Sequence, residues 1–132
     1  MLSSTYHKLI KALDGSPKMS KRNPMSYFTL NEPSKVIEKK IFNAFNGGCS
    51  TAKEQRALGA NPNICPIFDL YLFHFYKDDN DVLERLNECL TGDILCGECK
   101  SQLIGIVKKF IEKHQAQQEK FLDKAMEIII VD

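Results

Sequence analysis

The chain has 132 residues and a net charge of +1 at pH 7, with 43% hydrophobic and 27% charged residues. This length suits one domain with a real core, and the composition excludes wholesale disorder. No apolar run approaches the ~20 residues that cross a bilayer, and the N-terminus lacks the apolar stretch of a signal peptide. We therefore expect a cytoplasmic protein without a membrane partner.

The near-neutral total hides an uneven distribution of charge. Residues 1–40 hold eight Lys or Arg and three Asp or Glu, a net of +5, whereas residues 41–132 carry a net of −4. A basic leading segment favours an anionic partner such as phosphate or nucleic acid.

The first third of the chain is predicted to be rich in loops. Ser3-Ser4-Thr5 can cap a short helix that reaches about Leu13, and a basic loop follows from Gly15 to Asn23. The run Tyr27–Leu30 favours an extended segment.

Helical patterns begin at residue 31. The triplet Asn31-Glu32-Pro33 starts an amphipathic helix that includes Ala44 and Phe45, and Asn46-Gly47-Gly48 ends it. Residues 51–58 form a short polar helix.

The apolar helices come later in the chain. Pro66 opens a strongly apolar helix, and the acidic run Asp78–Asp81 breaks it and caps the next. A turn at Thr91–Asp93 precedes a last helix from Gly97 or Glu98 to about Met126. The predicted fold is mainly α, a helical bundle preceded by a loop-rich segment.

Four cysteines form the clearest candidate for a metal site. Cys65, Cys89, Cys96 and Cys99 follow the spacing C-x23-C-x6-C-x2-C, with the last pair at a helix start that favours thiolates. Four thiolates suit tetrahedral zinc or a cubane iron–sulfur cluster, and the irregular spacing favours the cluster. Four unligated, partly buried cysteines are the alternative.

The basic loop is a candidate phosphate-binding element. Residues 17–22 could place ammonium groups against a polyphosphate, where such charges stabilise phosphoryl transfer. A solvated charged loop is the alternative.

A family resemblance connects these features. Lys18-Met19-Ser20-Lys21-Arg22 resembles the KMSKS signature of class I aminoacyl-tRNA synthetases, and residues 31–48 resemble the segment that follows it in tryptophanyl-tRNA synthetases. The resemblance covers nearly the whole chain. Further matching segments are Glu54-Gln55-Arg56, Asn61-Pro62, Cys65-Pro66, Gly92–Lys100 and His114-Gln115.

The resemblance implies site residues in the loop and at the cysteines. Lys21, with Lys18 as the first lysine, would contact the phosphates of ATP bound with magnesium, in a loop made by Lys18, Met19, Ser20 and Lys21. Arg22 replaces the final serine of the signature. Some family members carry a [4Fe-4S] cluster on a similar four-cysteine pattern, which puts the cluster ahead of zinc here.

The resemblance also implies a domain organisation. Residues 1–30 would end a Rossmann-like catalytic domain, and residues 31–132 would form a helical, anticodon-binding-like domain. The HIGH motif of the family is absent from the chain, so we expect this C-terminal portion to be inactive alone.

The partners follow from the same resemblance. They would be tryptophan-specific tRNA, ATP and tryptophan through the missing catalytic half, and a second subunit in a homodimer. Four lysines of the last helix could contact RNA phosphates, although for any single one of them a solvated helix face is the favoured explanation: Lys100, Lys108, Lys109 and Lys113.

Two other functions remain open at this point. One is a stand-alone tRNA-binding iron–sulfur or zinc module without catalysis. The other is a helical interaction domain without a nucleotide ligand.

Overall fold

The computed structural model describes residues 9–128, which are mostly helical and contain no β-strand within that range. Two single 3-10 turns, Pro24–Ser26 and Pro62–Ile64, and one π-helical turn, Tyr71–Phe75, interrupt the connections. The α-helices of the described range are α1 (Ser34–Phe42), α2 (Ala52–Leu58), α3 (Pro66–Leu70), α4 (Asp79–Thr91) and α5 (Cys96–Ile128).

Local capping explains where α2 and α4 begin and end. The Thr51 side chain accepts from the Glu54 amide while the Glu54 carboxylate accepts from the Thr51 amide, a capping box. Asp78 caps α4 through the Asn80 amide, and Gly92, with φ 78°, ends it in the left-handed conformation. These two helices confirm the sequence predictions.

Long-range hydrogen bonds override two predictions near the start of the chain. The predicted first helix falls partly on residues 1–8, outside the described range, and residues 9–13 are not helical. The Leu13 amide instead donates to the Ser26 carbonyl at 2.8 Å, and the Phe45 amide donates to the Leu13 carbonyl at 2.7 Å. The second bond also explains why α1 ends at Phe42 and not at Asn46.

The run Tyr27–Leu30 has no strand partner in the described range. Tyr27 is extended, with φ −153° and ψ 170°, but the segment forms no β-ladder with any other described segment. The Gln115 side chain in α5 donates to the Leu30 carbonyl at 2.9 Å and to the Glu32 carbonyl at 3.1 Å.

The core lies where the first half of α5 packs against α1. Ile37 and Ile41 of α1 meet Leu103, Val107 and Ile111 of α5, and none of the five is more than 2% exposed. Burial of five branched aliphatic side chains contributes roughly 1.5–3 kcal/mol each. The second half of α5 extends beyond this contact, and its described side chains from residue 116 onward are exposed.

The apolar helix that begins at Pro66 changes its winding after one turn. After Leu70 the backbone forms a π-helical turn, closed by the Tyr76 amide on the Tyr71 carbonyl at 2.9 Å. The Tyr71 ring is fully buried, and its hydroxyl donates to the Cys99 carbonyl at 2.8 Å. No helix of the described residues is long and apolar enough to cross a membrane.

Gly59 makes a close backbone approach that a side chain would prevent. Its φ is 74°, and a Cβ there would stand 1.9 Å from the Leu90 carbonyl oxygen. We expect Gly59→Ala to lower the free energy of unfolding by at least about 3 kcal/mol, from backbone strain and this clash.

Gly105→Ala is the matched control, because a Cβ at this mid-helix position meets nothing within 4 Å. It should raise stability by about 0.5–1 kcal/mol. Urea unfolding of both variants checks the pair, and wild-type stability for Gly59→Ala would contradict the packing described.

Candidate functional site

The carboxylate of Asp14 holds the two ends of the basic loop together. Asp14 Oδ1 accepts from the Ser16 amide at 3.0 Å, and Asp14 Oδ2 accepts from the Asn23 side chain at 2.7 Å. Hydrogen bonds from Ser16, and then from Asn23, hold the pKa of Asp14 below its ordinary value. The loop between residues 16 and 23 therefore has both ends fixed to one side chain.

Ser26 fixes the loop from the inside. It is 1% exposed, and its hydroxyl donates to the Asn23 carbonyl at 2.6 Å and accepts from the Ser20 amide at 3.1 Å. Ser20 in turn accepts from the Arg22 amide at 3.3 Å. The loop backbone is thus ordered from Ser20 to Ser26.

The basic side chains of this loop are exposed to solvent. Lys18, Lys21 and Arg22 are exposed, and Met19 is 43% exposed. Within the described residues, none of these three cations lies within 4.0 Å of a carboxylate oxygen. The loop can present two ammonium groups and a guanidinium to an anionic ligand.

One ion pair joins the loop segment to the helices. Lys11 Nζ lies 2.8 Å from Asp69 Oδ2, and the Asp69 side chain is 9% exposed. Sequence reasoning missed this pair, although a single aspartate inside the apolar run 66–72 was a usable signal, because a buried carboxylate needs a partner. Asp69 lies one turn after Cys65, so α3 connects the loop segment to the cysteines.

The Asp14 hydrogen bonds predict a pH dependence of the loop. Because the folded-state pKa is lowered, the carboxylate stabilises the loop above pH 3.8, its ordinary value, and this contribution disappears as the pH falls through the lowered pKa. The NMR signal of the Ser16 amide should titrate with a midpoint below 3.8. A midpoint at or above that value would contradict the assignment, and Asp14→Asn is the control that should abolish the transition.

Removing the Asp69 charge should loosen the attachment of the loop segment. We expect Asp69→Asn to cost about 2–3 kcal/mol of stability, because Lys11 loses its partner while keeping some access to water. Hydrogen exchange at the Leu13 amide should accelerate as well. A variant with unchanged exchange there would show that the ion pair does not anchor the segment.

The four predicted cysteine ligands line one cavity. Cys65 is buried at the start of α3, Cys89 lies in α4, and Cys96 and Cys99 lie in the first turn of α5. The cavity has a volume of about 20 Å³, room for roughly one water molecule. The fifth cysteine, Cys49, is exposed outside it and its thiol contacts the Gly59 carbonyl at 3.4 Å.

Burial keeps the thiols of Cys89, Cys96 and Cys99 neutral. It raises the pKa of Cys89 to about 11 and of Cys99 to about 12, and it also raises the pKa of Cys96. Arg85 acts in the opposite direction on Cys89 and Cys99, but more weakly than burial. A thiolate in this cavity therefore requires a strong positive charge beside it.

The cavity fits a soft metal by donor type but not by spacing. Four sulfurs and an apolar lining are the surroundings that zinc and iron–sulfur centres use. Yet no three His, Cys, Asp or Glu side chains in residues 9–128 stand close enough together to hold a metal ion. Occupation would require the four thiols to draw together around the metal.

Two buried cations also line this cavity, Lys100 and Arg85. The Lys100 ammonium donates to the Phe42 carbonyl at 3.0 Å and to the Ala44 carbonyl at 2.6 Å, at the end of α1. The predicted RNA contact for Lys100 is therefore wrong, because its ammonium is enclosed by protein. Nothing in the sequence around Lys100, which directly follows Cys99, indicates that its ammonium is buried.

The other three predicted RNA lysines are exposed. Lys109 and Lys113 are four residues apart and project from the same side of α5. Lys108 and Glu38 both line the groove between α5 and α1. The structure thus leaves three of the four available to a polyanion.

Comparison with known proteins places the chain in a class of enzymes. The family described as tRNA synthetases class I (W and Y) matches residues 2–112. The chain is 43% identical to the tryptophan–tRNA ligase of Pyrobaculum calidifontis over 122 residues, which is 92% of this chain and 32% of the relative. It is also 43% identical to that of Archaeoglobus fulgidus, over 89% of this chain and 28% of the relative.

Solved structures have the same fold. The tryptophanyl-tRNA synthetase of Aeropyrum pernix K1 matches with a TM-score of 0.83 and 42% identity, covering 87% of this chain and 31% of that one. The enzyme of Giardia lamblia matches with a TM-score of 0.76 and 36% identity, covering 84% and 28%.

The chain belongs to the class I tRNA synthetase family of the tryptophan and tyrosine enzymes. The relatives described above are tryptophanyl enzymes, which supports a tryptophanyl-tRNA synthetase fragment over an independent module. The chain spans about a third of the length of the curated relatives it matches.

Proposed function

We propose that this chain is the C-terminal portion of a tryptophanyl-tRNA synthetase, from the KMSKS-like loop onward. In this proposal Lys18, Met19, Ser20 and Lys21 close over ATP and its magnesium ion, while tryptophan binds in the remainder of the enzyme. The observation that supports this proposal is the basic loop: hydrogen bonds of Asp14 and Ser26 fix its backbone, and its lysines are exposed.

Lys21 has a specific role in this proposal. Its ammonium would stabilise the charge that develops on the phosphates of ATP during formation of tryptophanyl adenylate. Ordering of the loop backbone supports this role, because an ammonium on a preorganised frame costs little reorganisation when the charge develops.

A chimaera tests the role of Lys21 in catalysis. This chain replaces the corresponding segment of the Aeropyrum pernix enzyme, with which it is 42% identical. Lys21→Ala in the chimaera should lower kcat for tryptophan-dependent ATP–pyrophosphate exchange by about 100-fold, the usual cost of losing one such charge, with little change in the KM for tryptophan. Arg22→Ser, which restores the serine of the signature, is the control and should stay active.

An unchanged exchange rate in the Lys21→Ala chimaera would contradict the role of the loop. The isolated chain should show no exchange at all, and robust activity from it would contradict its assignment as a fragment.

We propose further that the helical part, residues 31–132, binds the anticodon region of tryptophan-specific tRNA. The exposed lysines Lys108, Lys109 and Lys113 support this proposal through their position on α5. Homodimer formation in the complete enzyme belongs to the same proposal.

The salt dependence of tRNA binding tests the lysines. Replacing Lys108, Lys109 and Lys113 together by alanine should weaken binding of tryptophan tRNA and reduce the slope of log K against log salt by about 2–3. Replacing Lys53, Lys77 and Lys120 removes the same charge from other exposed positions and should leave the slope nearly unchanged. Equal effects of the two triple variants would show that only net charge matters, and equal binding of tyrosine tRNA would exclude specificity.

We also propose that Cys65, Cys89, Cys96 and Cys99 hold a soft metal centre. Such a centre would cross-link α3, α4 and α5 by binding one thiolate or more from each. The family resemblance favours a [4Fe-4S] cluster, whereas the cavity of about 20 Å³ favours a single zinc ion, which needs less rearrangement.

Anaerobic purification with analysis of iron, sulfide and zinc decides between the two. Brown protein with iron and sulfide identifies the cluster, and colourless protein with one equivalent of zinc identifies the ion. Freshly prepared protein without any metal would overturn the proposal of a metal centre.

A further inference from the structure

A cavity of about 340 Å³ lies between the basic loop segment and the helices. The loop segment contributes Met19, Tyr27 and Leu30 to its lining, and the π-helical turn and α5 contribute Phe75 and Phe110. The cavity at the cysteines, at about 20 Å³, has room for only about one water molecule. Because protein interiors leave few voids larger than a water molecule, a space of 340 Å³ calls for an occupant.

The lining of this cavity is aromatic and uncharged. Tyr27, Phe28, Phe75 and Phe110 all contribute to it, and none of the described residues in the lining carries a carboxylate, an ammonium or a guanidinium. The rings of Phe75 and Phe110 meet edge to face, with centroids 5.9 Å apart and planes at 83°. Aromatic rings attract a further ring beyond the gain from apolar burial alone. The lining therefore favours a planar aromatic ligand.

Two polar groups in the lining can orient such a ligand, the Tyr27 hydroxyl and the His74 imidazole. Sites for small molecules span about 300–1,000 Å³ and combine an apolar lining with a few polar groups. This cavity lies at the lower end of that range, which fits a ligand of one or two fused rings. A charged ligand would lose its hydration there without gaining an ion pair in the lining, so the ligand is uncharged.

Contacts outside the cavity hold its loop-side wall in place. The Lys40 ammonium lies 5.4 Å from the centre of the Tyr27 ring and 2.8 Å from a Glu32 carboxylate oxygen. The Leu30 carbonyl accepts from the Gln115 side chain at 2.9 Å. A wall that is already ordered costs little entropy when a ligand binds.

We propose that this cavity is a binding site for a small, uncharged, planar aromatic molecule, and that its occupant restrains the basic loop through Met19. Met19 lines the cavity and lies in the chain between Lys18 and Ser20, whose amide donates to the Ser26 hydroxyl. An occupant in contact with the Met19 side chain limits the motion of the loop that carries Lys18 and Lys21. The site goes beyond the function proposed above and does not depend on it.

Indole, an uncharged two-ring molecule, is the probe for the full chain. With methionine labelled by 13C at its methyl group, the NMR signal of Met19, assigned with Met19→Leu, should shift and saturate with a Kd of about 1 mM or less. Met25 does not line the cavity, and its signal should stay in place. Cyclohexanol, which has no aromatic ring, should bind about tenfold more weakly. Hydrogen exchange at the Ser20 amide should slow as indole saturates the site.

A matched pair of variants tests the position of the site. Phe110→Leu removes a ring from the lining but keeps it apolar, and it should raise the Kd for indole about tenfold. Phe121→Leu is the control, because Phe121 is exposed to a similar degree, 51% against 48%, in the second half of α5 and does not line the cavity. It should leave the Kd unchanged.

A second pair keeps the test decisive where circular dichroism shows that Phe110→Leu does not fold. Leu30→Trp adds an indole ring to the lining itself and should abolish binding of free indole. Leu83→Trp places the same ring on an exposed position of α4 outside the cavity and should leave binding intact.

The contrary outcomes are distinct. A Met19 signal that does not move up to the solubility limit of indole would overturn the site. Equal Kd values for wild type and Phe110→Leu, or equal losses in Phe110→Leu and Phe121→Leu, would overturn its position. Unchanged exchange at the Ser20 amide with the site saturated would overturn the restraint of the loop. In the chimaera described above Met19 should respond in the same way, and an unresponsive Met19 there would show that another part of the enzyme fills the cavity and would overturn the proposal.

Discussion

The first half of α5 is the support to which the rest of the described chain attaches. Its apolar side packs against α1, its first turn carries two of the four cysteines, and its Lys100 ammonium holds the end of α1. The Tyr71 hydroxyl reaches the Cys99 carbonyl, and burial, which raises the pKa of Tyr71, keeps that hydroxyl a donor. Gln115, four residues after the last core position, holds the segment that leads into α1. Displacement of α5 would therefore disturb the cysteine cavity and the loop segment together.

The short helix α3 connects the segment before the basic loop to the cysteines. Cys65 begins this helix, and Asp69, one turn later, pairs with Lys11 in the segment before the loop. The loop itself is organised by the side chains of Asp14 and Ser26, whose hydrogen bonds reach at most nine residues along the chain. The loop thus has its own internal frame, while its placement on the helices depends on one ion pair and on the backbone bonds of Leu13.

The features that could be predicted from the sequence are those that depend on residues close to one another along the chain. The capping box at Thr51 and Glu54, the Asp78 cap and the stop at Gly92 each act within four residues, and the helices they bound occur where they were expected. The four cysteines were also predicted to lie together, and they line one cavity. The sequence could not reveal partners distant along the chain: the burial of Lys100 depends on carbonyls more than 50 residues away, and the end of α1 is set by a hydrogen bond from Phe45 to Leu13. The π-helical winding of Tyr71–Phe75, where the Tyr71 ring is fully buried, is not specified by hydrophobic periodicity alone.

The two halves of α5 differ in what holds them in helical form. At 33 residues this helix is roughly 50 Å long, and only its first half is covered by other elements. The first half, which packs against the core, unfolds cooperatively with it. The second half, which we call the outer half, is stabilised by little more than its own backbone hydrogen bonds and its i to i+4 contacts. A single continuous helix therefore spans two levels of local stability. Substitutions in its outer half can accumulate at low cost to folding, which leaves that surface free to diverge while the cysteine end stays constrained.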